Sequence, residues 1–260
     1  MVLEIKAENG NGSSRHRGPT TVDLGTGYSA EIFYRSSYIS QKEKLAHITE
    51  GLVVSSGLFS PSIARHLVST GLEKSDPNNT SWIGFRKTDE PFGKYKGLAW
   101  QEELSIPTVE GEKIVLYMKL RAFEKDAQRH HLGRTAIQLV LNTHIDSQIL
   151  AHRTASPAAA LSWLESGVFE PGRRLPRDLP FDKDPVAPQI LMWLWTKYHI
   201  NGRVPNFRTG VSIGDYPEQN GAYEPDPTHA PTMEICRWMT GKLGMNFRRG
   251  DSLMQIADLR

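Results

Sequence analysis

One stretch of this 260-residue chain, residues 114–169, constrains its fold more than any other. It opens on an apolar run of strand length at 114–123 and continues through a polar turn at 128–134 that contains one glycine, Gly133. Residues 135–142 then place apolar side chains at intervals of three and four, which is typical of one face of a helix. The pattern predicts a strand, a short polar turn and a helix.

The turn has the composition of an anion site. The first N–H groups of a helix have no partner inside the helix, and the aligned peptide dipoles leave partial positive charge there. Such a turn favours a phosphate. Arg129 and Arg134 would add full charges, and Gly133 would allow close approach of the backbone to a ligand. An ordinary α/β connection with one glycine and two arginines is the alternative at this point.

The next segment repeats the alternation of strand and helix. Residues 147–155 form a second run of strand character. Ser156 fits a helix N-cap, Pro157 fits the first helical position and Gly167 fits the stop, so a short helix is predicted between them. A further strand is expected from Phe169 onwards.

Together the two segments resemble the signatures of the GCN5-related N-acetyltransferase (GNAT) superfamily. The family's acyl-coenzyme A signature, Gln/Arg-x-x-Gly-x-Gly/Ala, falls on residues 128–133, with His131 in place of the first glycine. In the second signature, Asn-x-x-Ala-x-x-(Leu/Phe)-Tyr-x-x-x-Gly-Phe, the aligned residues are Ser156, Ala159, Ser162, Trp163, Gly167 and Val168. Trp163 stands where many members have the tyrosine thought to protonate the leaving thiolate. An indole N–H is a donor but not a usable acid.

This resemblance implies an α/β fold with a GNAT-type mixed, mostly antiparallel twisted sheet flanked by helices. It also implies acetyl-CoA or another acyl-CoA as the co-substrate. Backbone amides of the turn would hold the pyrophosphate, and the end of the preceding strand would pair with the pantetheine arm. The cofactor-binding residues implied are Ala122, Phe123, Gln128, Arg129, His130, His131, Leu132, Gly133, Arg134, Thr135, Ser156, Ala159 and Trp163.

Attack of an amine on a thioester needs little side-chain chemistry, because alignment of the two substrates can supply about 7–11 kcal/mol. A general base would add to this. The catalytic candidates are His152, on the second strand, and Glu124, just after the first. His152 has the intrinsic pKa nearer neutrality. A structural histidine and a solvated turn carboxylate are the alternatives. No metal site is predicted, because the histidines lack a metal-binding spacing.

The implied activity is that of an N-acyltransferase, which moves an acyl group from acyl-CoA to the amine of a small molecule within a ternary complex. A small-molecule acceptor is favoured over a protein tail because no acidic groove for a lysine-rich tail is evident. One alternative is a GNAT-fold protein that binds coenzyme A or another thioester without acyl transfer, in regulation or in lyase or cyclase chemistry. A plain α/β binding module without coenzyme A is the second.

Composition limits the partners. A net charge of +2 argues against nucleic acid, and no apolar run approaches the roughly twenty residues of a membrane span. The single cysteine, Cys236, and the N-terminal sequence without a hydrophobic signal favour a cytoplasmic protein. A monomer or a homodimer is expected.

Three regions are expected along the chain. They are a flexible tail at 1–20, a GNAT-like acyl-CoA-binding domain at 21–200, and a C-terminal extension at 201–260 that packs on the domain or completes it. By the family resemblance, helices at 41–54 and 60–68 would form much of the acceptor pocket, with a simple covering role as the alternative. The apolar run at 189–198 is predicted as the last core strand, with a buried helix as the alternative.

Overall fold

The computed structural model describes residues 18–57, 59–90, 93–128, 130–198, 203–215 and 227–259. The strands are β1 (Thr20–Asp23), β2 (Tyr28–Tyr34), β3 (Thr80–Lys87), β4 (Gly97–Thr108), β5 (Gly111–Phe123), β6 (Ile149–Thr154), β7 (Phe169–Leu175), β8 (Val211–Ser212) and β9 (Ser252–Leu259). The helices are α1 (Ser36–Ile39), α2 (Lys42–Ser55), α3 (Pro61–Glu73), α4 (Leu132–Thr143), α5 (Pro157–Leu164), α6 (Ala187–Tyr198) and α7 (Ala230–Arg237).

These strands form one sheet in the order β1-β2-β3-β4-β5-β6-β9-β7, with β8 paired to β9. The β5–β6 pair is parallel, and the other neighbours are antiparallel. A parallel pair needs a crossover, which α4 supplies between β5 and β6. The predicted α/β architecture, a mixed and mostly antiparallel sheet flanked by helices, is confirmed.

The parallel pair parts in the middle of the sheet. β5 pairs with β6 only from Val115 to Met118, and the last partners are Met118 and His152. On its other side β5 carries a bulge at Lys119, since Met118 lies opposite Gln101 and the next paired residue, Leu120, lies opposite Trp100. Residues 119–123 therefore face β6 without strand pairing. We call this opening the β5–β6 gap.

Each face of the sheet has its own helices and core. On one face, α4 and α5 cover a cluster that includes Leu116, Leu150 and Trp163. On the other face, α6 covers one half of the sheet, and α2 and α3 cover the other half. The bulge lets both Lys119 and Leu120 face the α3–α6 side, while Arg121 faces α4 and α5. The gap therefore has Lys119 on its α3–α6 side and Arg121 on its α4–α5 side.

The prediction that residues 189–198 form the last core strand is wrong, and the helical alternative is right. The buried side chains Ile190, Leu191, Leu194 and Tyr198 recur at helical spacing. The Asp184 carboxylate accepts hydrogen bonds from the N–H groups of Val186 and Ala187 and so satisfies amides at the start of α6.

The C-terminal region supplies an interior strand of the sheet. β9 lies between β6 and β7, and residues Ser252 to Ile256 are all buried. Within the described part of the chain, no helix combines the length and the apolar character that a membrane crossing requires.

Candidate functional site

The loop between β5 and α4 keeps the backbone shape that a glycine would favour. His131, which stands where the family signature has its first glycine, is left-handed, with φ 55° and ψ 16°. This conformation is uncommon outside glycine, although histidine is among the residues that adopt it more often. The turn is closed by Gln128, whose Nε2 donates to the Phe123 carbonyl over 3.0 Å. Arg129 lies outside the described residues.

At the start of α4, the N–H groups of Arg134 and Thr135 both donate to the His131 carbonyl, so the amides of Leu132 and Gly133 are the ones without a partner within the helix. Leu132 is buried in the core and anchors this end, while the Thr135 hydroxyl donates to the His131 carbonyl. The ring of His130 lies 5.0 Å from the ring of Tyr28. The arrangement provides the partial positive charge that attracts a phosphate. Binding of a pyrophosphate at this loop stays a prediction.

Gly133 brings α4 close to α5. A Cβ atom at Gly133 would lie 3.3 Å from the Ser162 Oγ and 3.5 Å from the Ser162 Cβ. The missing side chain therefore leaves room for α5. This packing role stands beside the predicted close approach of a ligand.

Arg121 ties the two helices to the strand beside the gap. Its guanidinium donates to the carbonyl oxygens of Gly133 (3.2 Å) and Ala159 (3.0 Å) and to the Ser162 hydroxyl (3.1 Å). Burial lowers the pKa of Arg121 to about 10. The carbonyl and hydroxyl groups that Arg121 contacts do not neutralise its positive charge, so the guanidinium can still attract an anion. This arginine was not predicted from the sequence, because its acceptors lie on two helices that come later in the chain.

The two predicted catalytic residues lie in different settings. His152 is the last β6 residue paired with β5, so it borders the gap, and its Nε2 lies 3.3 Å from an Arg121 nitrogen. Burial and the Arg121 charge lower the pKa of His152 well below its ordinary value, so the ring is neutral at neutral pH.

Glu124, the other candidate, is an ion-paired turn residue. Its carboxylate lies 3.0 Å from the Lys94 Nζ and 2.9 Å from the Lys96 Nζ. Although burial acts to raise the pKa of Glu124, these two lysines hold it below the ordinary value. The carboxylate therefore stays ionised, which weakens it as a base. A base role for either residue stays a prediction.

The second signature forms α5 as expected. The Ser156 Oγ accepts a hydrogen bond from the Ala159 N–H, and Pro157 occupies the first turn. Trp163 is fully buried in the core with its ring centroid 4.2 Å from that of Phe169. Its indole N–H has no hydrogen-bond partner among the described residues. The position that many family members use for an acid is thus filled by a packing residue.

Trp163→Phe should leave the rate of any acyl transfer within about threefold of the wild-type value, because Trp163 only packs in the core. A threefold change corresponds to roughly 0.65 kcal/mol in the barrier. The measurement is a comparison of kcat for the two proteins under the same conditions. A loss of a hundredfold or more would show that the indole takes part in the site.

A buried ionic cluster occupies the opposite side of the gap. The Glu102 carboxylate on β4 is fully buried and lies 3.2 Å from the Lys119 Nζ and 3.0 Å from the Lys197 Nζ. It also accepts hydrogen bonds from the Tyr198 hydroxyl (2.5 Å) and the Asp76 N–H (3.0 Å). We call these five residues the Glu102 cluster.

The electrostatics of the Glu102 cluster favour the ionised carboxylate. Burial acts to raise the pKa of Glu102, but Lys119, Tyr198 and the other donors together hold it below its ordinary value. Burial lowers the pKa of Lys119 to about 8, against the opposing effect of the carboxylate. Burial and the Glu102 charge raise the pKa of Tyr198 far above its usual range. Lys119 is thus an ammonium group that can release its proton near neutral pH.

A cavity of about 40 Å³ lies against this cluster. It reaches from α3 to α6 across the strands that border the gap, so the helix predicted at 60–68 does contribute to it. Its walls include Leu67, Trp100, Tyr117, Lys119, Arg153 and Tyr198. The cavity lies on the face of the sheet opposite α4 and α5, and its volume corresponds to a few water molecules at most.

The sequence carried only a faint signal for the Glu102 cluster. Glu102 and Lys119 stand in strand runs whose inward positions are mostly apolar, and a charged residue at such a position calls for a partner. Lys119 lies 17 positions from Glu102, and Tyr198 lies 96 positions from it, so their contact depends on strand register and on α6.

A comparison with protein-family models found no match, and neither did a comparison with curated protein sequences. Among solved structures, the chain is similar to a protein from Desulfovibrio desulfuricans assigned to the acetyltransferases of the GNAT family. The identity is 19%, the match covers 48% of this chain and 79% of that chain, and the TM-score is 0.35.

Two further solved structures are similar. One is a predicted acetyltransferase from Clostridium acetobutylicum with acetyl-CoA (9% identity, 55% of this chain, 90% of that chain, TM-score 0.40). The other is the ribosomal-protein-S5-alanine acetyltransferase of Vibrio fischeri (9% identity, 59% of this chain, 85% of that chain, TM-score 0.39). Because all three TM-scores lie below 0.5, these likenesses by themselves establish neither the fold nor the function. The mixed sheet with its parting parallel pair agrees with the GNAT-type sheet that the two signatures predict, and membership of the superfamily stays a prediction.

Proposed function

We propose that this protein is an N-acyltransferase that moves an acyl group, by default acetyl, from acyl-CoA to the amine of a small molecule. The observation that carries the proposal is the β5–β6 gap, with an unpaired strand edge at 119–123 and the start of α4 just beyond it. A free strand edge accepts an extended, amide-bearing chain through main-chain hydrogen bonds. A helix start binds the phosphates of such a chain.

These features fit two parts of an acyl-CoA, the pantetheine arm and the pyrophosphate. The strand edge matches the amide groups of pantetheine, and the loop from Gln128 to Thr135 matches the pyrophosphate. With the donor held on the α4–α5 side, the acceptor would approach the gap from the α3–α6 face, where the small cavity lies. Attack across the gap then brings the amine and the thioester together, and such alignment supplies much of the catalytic effect.

A second candidate is a protein that binds coenzyme A without transferring the acyl group. Two observations favour it. The Arg121 guanidinium spans from α4 to α5 beside the gap, and Trp163 is buried where the family often has an acidic tyrosine. The two candidates share the donor site and differ in turnover.

Turnover with amines separates them. Release of the coenzyme A thiol from acetyl-CoA would be followed with a thiol-reactive dye in the presence of tyramine, spermidine, kanamycin or a peptide with an N-terminal alanine. The masses of the products would be measured by mass spectrometry. The proposal expects an amine-dependent release together with an acetylated amine. Binding of coenzyme A with no acetylated product from any amine class would support the second candidate instead.

A further inference from the structure

We propose that Lys119 is the catalytic proton carrier of this site, passing a proton from the acceptor amine to the departing thiolate. This inference rests on the proposed function and names a residue for the acid role that Trp163 cannot fill. Three observations carry it, namely the position of Lys119 in the sheet, its charged surroundings and its place in the cavity wall.

The first observation is the position. Lys119 is the bulged residue of β5 and the first residue past the last pair with β6, so it marks the point where the gap opens. A bulge redirects a side chain at the edge of a pairing, and bulges are over-represented next to active sites. A thioester lying in the gap would have Lys119 beside it.

The second observation is the set of groups around the Nζ atom. The side chain is almost fully buried, and its Nζ donates to the Glu102 carboxylate and to the Ser75 hydroxyl and lies 4.6 Å from the centre of the Trp100 ring. The other titratable or charged groups facing this region are Lys197 and Tyr198 from α6, Arg153 from β6 and Tyr117 from β5. A lysine in this setting can exist as ammonium or amine within the working pH range, and catalytic lysines depend on that exchange.

The third observation is access. Lys119 and Arg153 are the cationic side chains in the cavity wall, and each directly follows the last β5–β6 pair. The Arg153 guanidinium pairs with Asp215 and does not give up a proton, so Lys119 is the one of the two that can carry it. The Lys119 side chain thus lines the cavity at the point where the gap opens.

The proton balance closes within the site. The acceptor nitrogen forms a bond to the thioester carbonyl carbon, the carbon–sulfur bond breaks, and its electron pair leaves on sulfur. The Lys119 ammonium gives its proton to that sulfur. The resulting neutral amine of Lys119 takes the extra proton from the acceptor nitrogen, which leaves a neutral amide, a thiol and a recharged ammonium.

The test uses Lys119→Met in the full chain, with Lys113→Met as the matched control. The control removes another lysine of β5, one that pairs with Glu110 and lies outside the cavity wall. With acetyl-CoA and the most active of the four amines named above, Lys119→Met should lower kcat by about a hundredfold or more. It should also remove the alkaline limb of the kcat profile near pH 8, whereas Lys113→Met should leave both the value of kcat and this limb unchanged.

A second readout does not depend on turnover. The ultraviolet absorbance of the thiolate of bound coenzyme A gives the pKa of that thiol on the protein. An ammonium within a few ångströms favours the thiolate, so Lys119→Met should raise the thiol pKa by about one unit, a tenfold change in the equilibrium. Lys119→Arg keeps the charge but cannot give up its proton, so it should keep the low thiol pKa and lose kcat.

Each outcome decides the question. If Lys119→Met keeps kcat within threefold, or if the pKa of the bound thiol is the same in both proteins, the proposal is overturned. If the wild type turns over no amine but Lys119→Met raises the thiol pKa, Lys119 stands at the sulfur, but both the transferase function and the proton-carrier role are contradicted. If the wild type binds no coenzyme A, both the function and this inference are contradicted.

Discussion

Glu102→Gln should lower the free energy of unfolding by about 3 kcal/mol, because it leaves the buried Lys119 ammonium without its counter-charge. Glu102 is fully buried and receives four donors, two of them lysines. The amide keeps the shape of the side chain but supplies one acceptor oxygen where the carboxylate supplied two. Release of the Lys119 proton limits the loss, since the pKa of that lysine is already about 8.

The effect should also depend on pH in a defined direction. The pKa of Glu102 lies below its ordinary value in the folded protein, so its contribution is present above the unfolded pKa and is lost as the pH falls through the folded pKa. The difference between wild type and Glu102→Gln should therefore be full at neutral pH and shrink in acid.

Urea unfolding of the two proteins measures this difference as a shift in midpoint at constant m-value. Glu110→Gln is the matched control, because Glu110 forms an exposed ion pair with Lys113 over 3.3 Å. Such a surface pair contributes at most about 1 kcal/mol. Equal midpoint shifts for the two variants would show that the Glu102 cluster gives no special stability.

Gly133→Val should reduce the affinity for acyl-CoA by at least about tenfold while the fold persists. The valine Cβ would already press on Ser162, and its γ-carbons would force the first turn of α4 away from α5. Overpacking of this kind costs about 1–3 kcal/mol, which a domain of this size withstands. The shifted turn would carry the phosphate-binding amides out of place.

Calorimetric titration with acetyl-CoA measures the affinity, and circular dichroism reports the fold. The control is Gly51→Val, which puts the same side chain on a helix at a position with no neighbouring atom within 4 Å. It should bind acetyl-CoA as the wild type does. Undiminished affinity in Gly133→Val would place the phosphates somewhere other than the start of α4.

The elements around the loop were predictable because their signals are local. Ser156 caps α5 through an amide three residues away, and Pro157 lies in the first turn of that helix, as both residue types predict. The run at 189–198 was harder, because ten mostly apolar residues fit either a strand or a buried helix and the capping Asp184 lies outside the run.

The polar part of the site was not predictable in the same way. Lys119 faces Glu102 only because a bulge shifts the register of β5 against β4, and Tyr198 joins them only because α6 crosses that face. Arg121 finds its acceptors on two helices that come later in the chain. These contacts depend on tertiary packing, which neither periodicity nor a motif encodes.

The central claim is that the β5–β6 gap holds an acyl-CoA, and a thermal-unfolding scan with acetyl-CoA tests it most directly. At about a hundred times its dissociation constant, a ligand that binds only the folded protein adds about 2.7 kcal/mol of stability. For a chain of this length that corresponds to an increase in Tm of roughly 5–10 °C. Acetyl-CoA and coenzyme A should both give this increase, and adenosine should give none. An unchanged Tm with acetyl-CoA and with coenzyme A at millimolar concentration would contradict the claim.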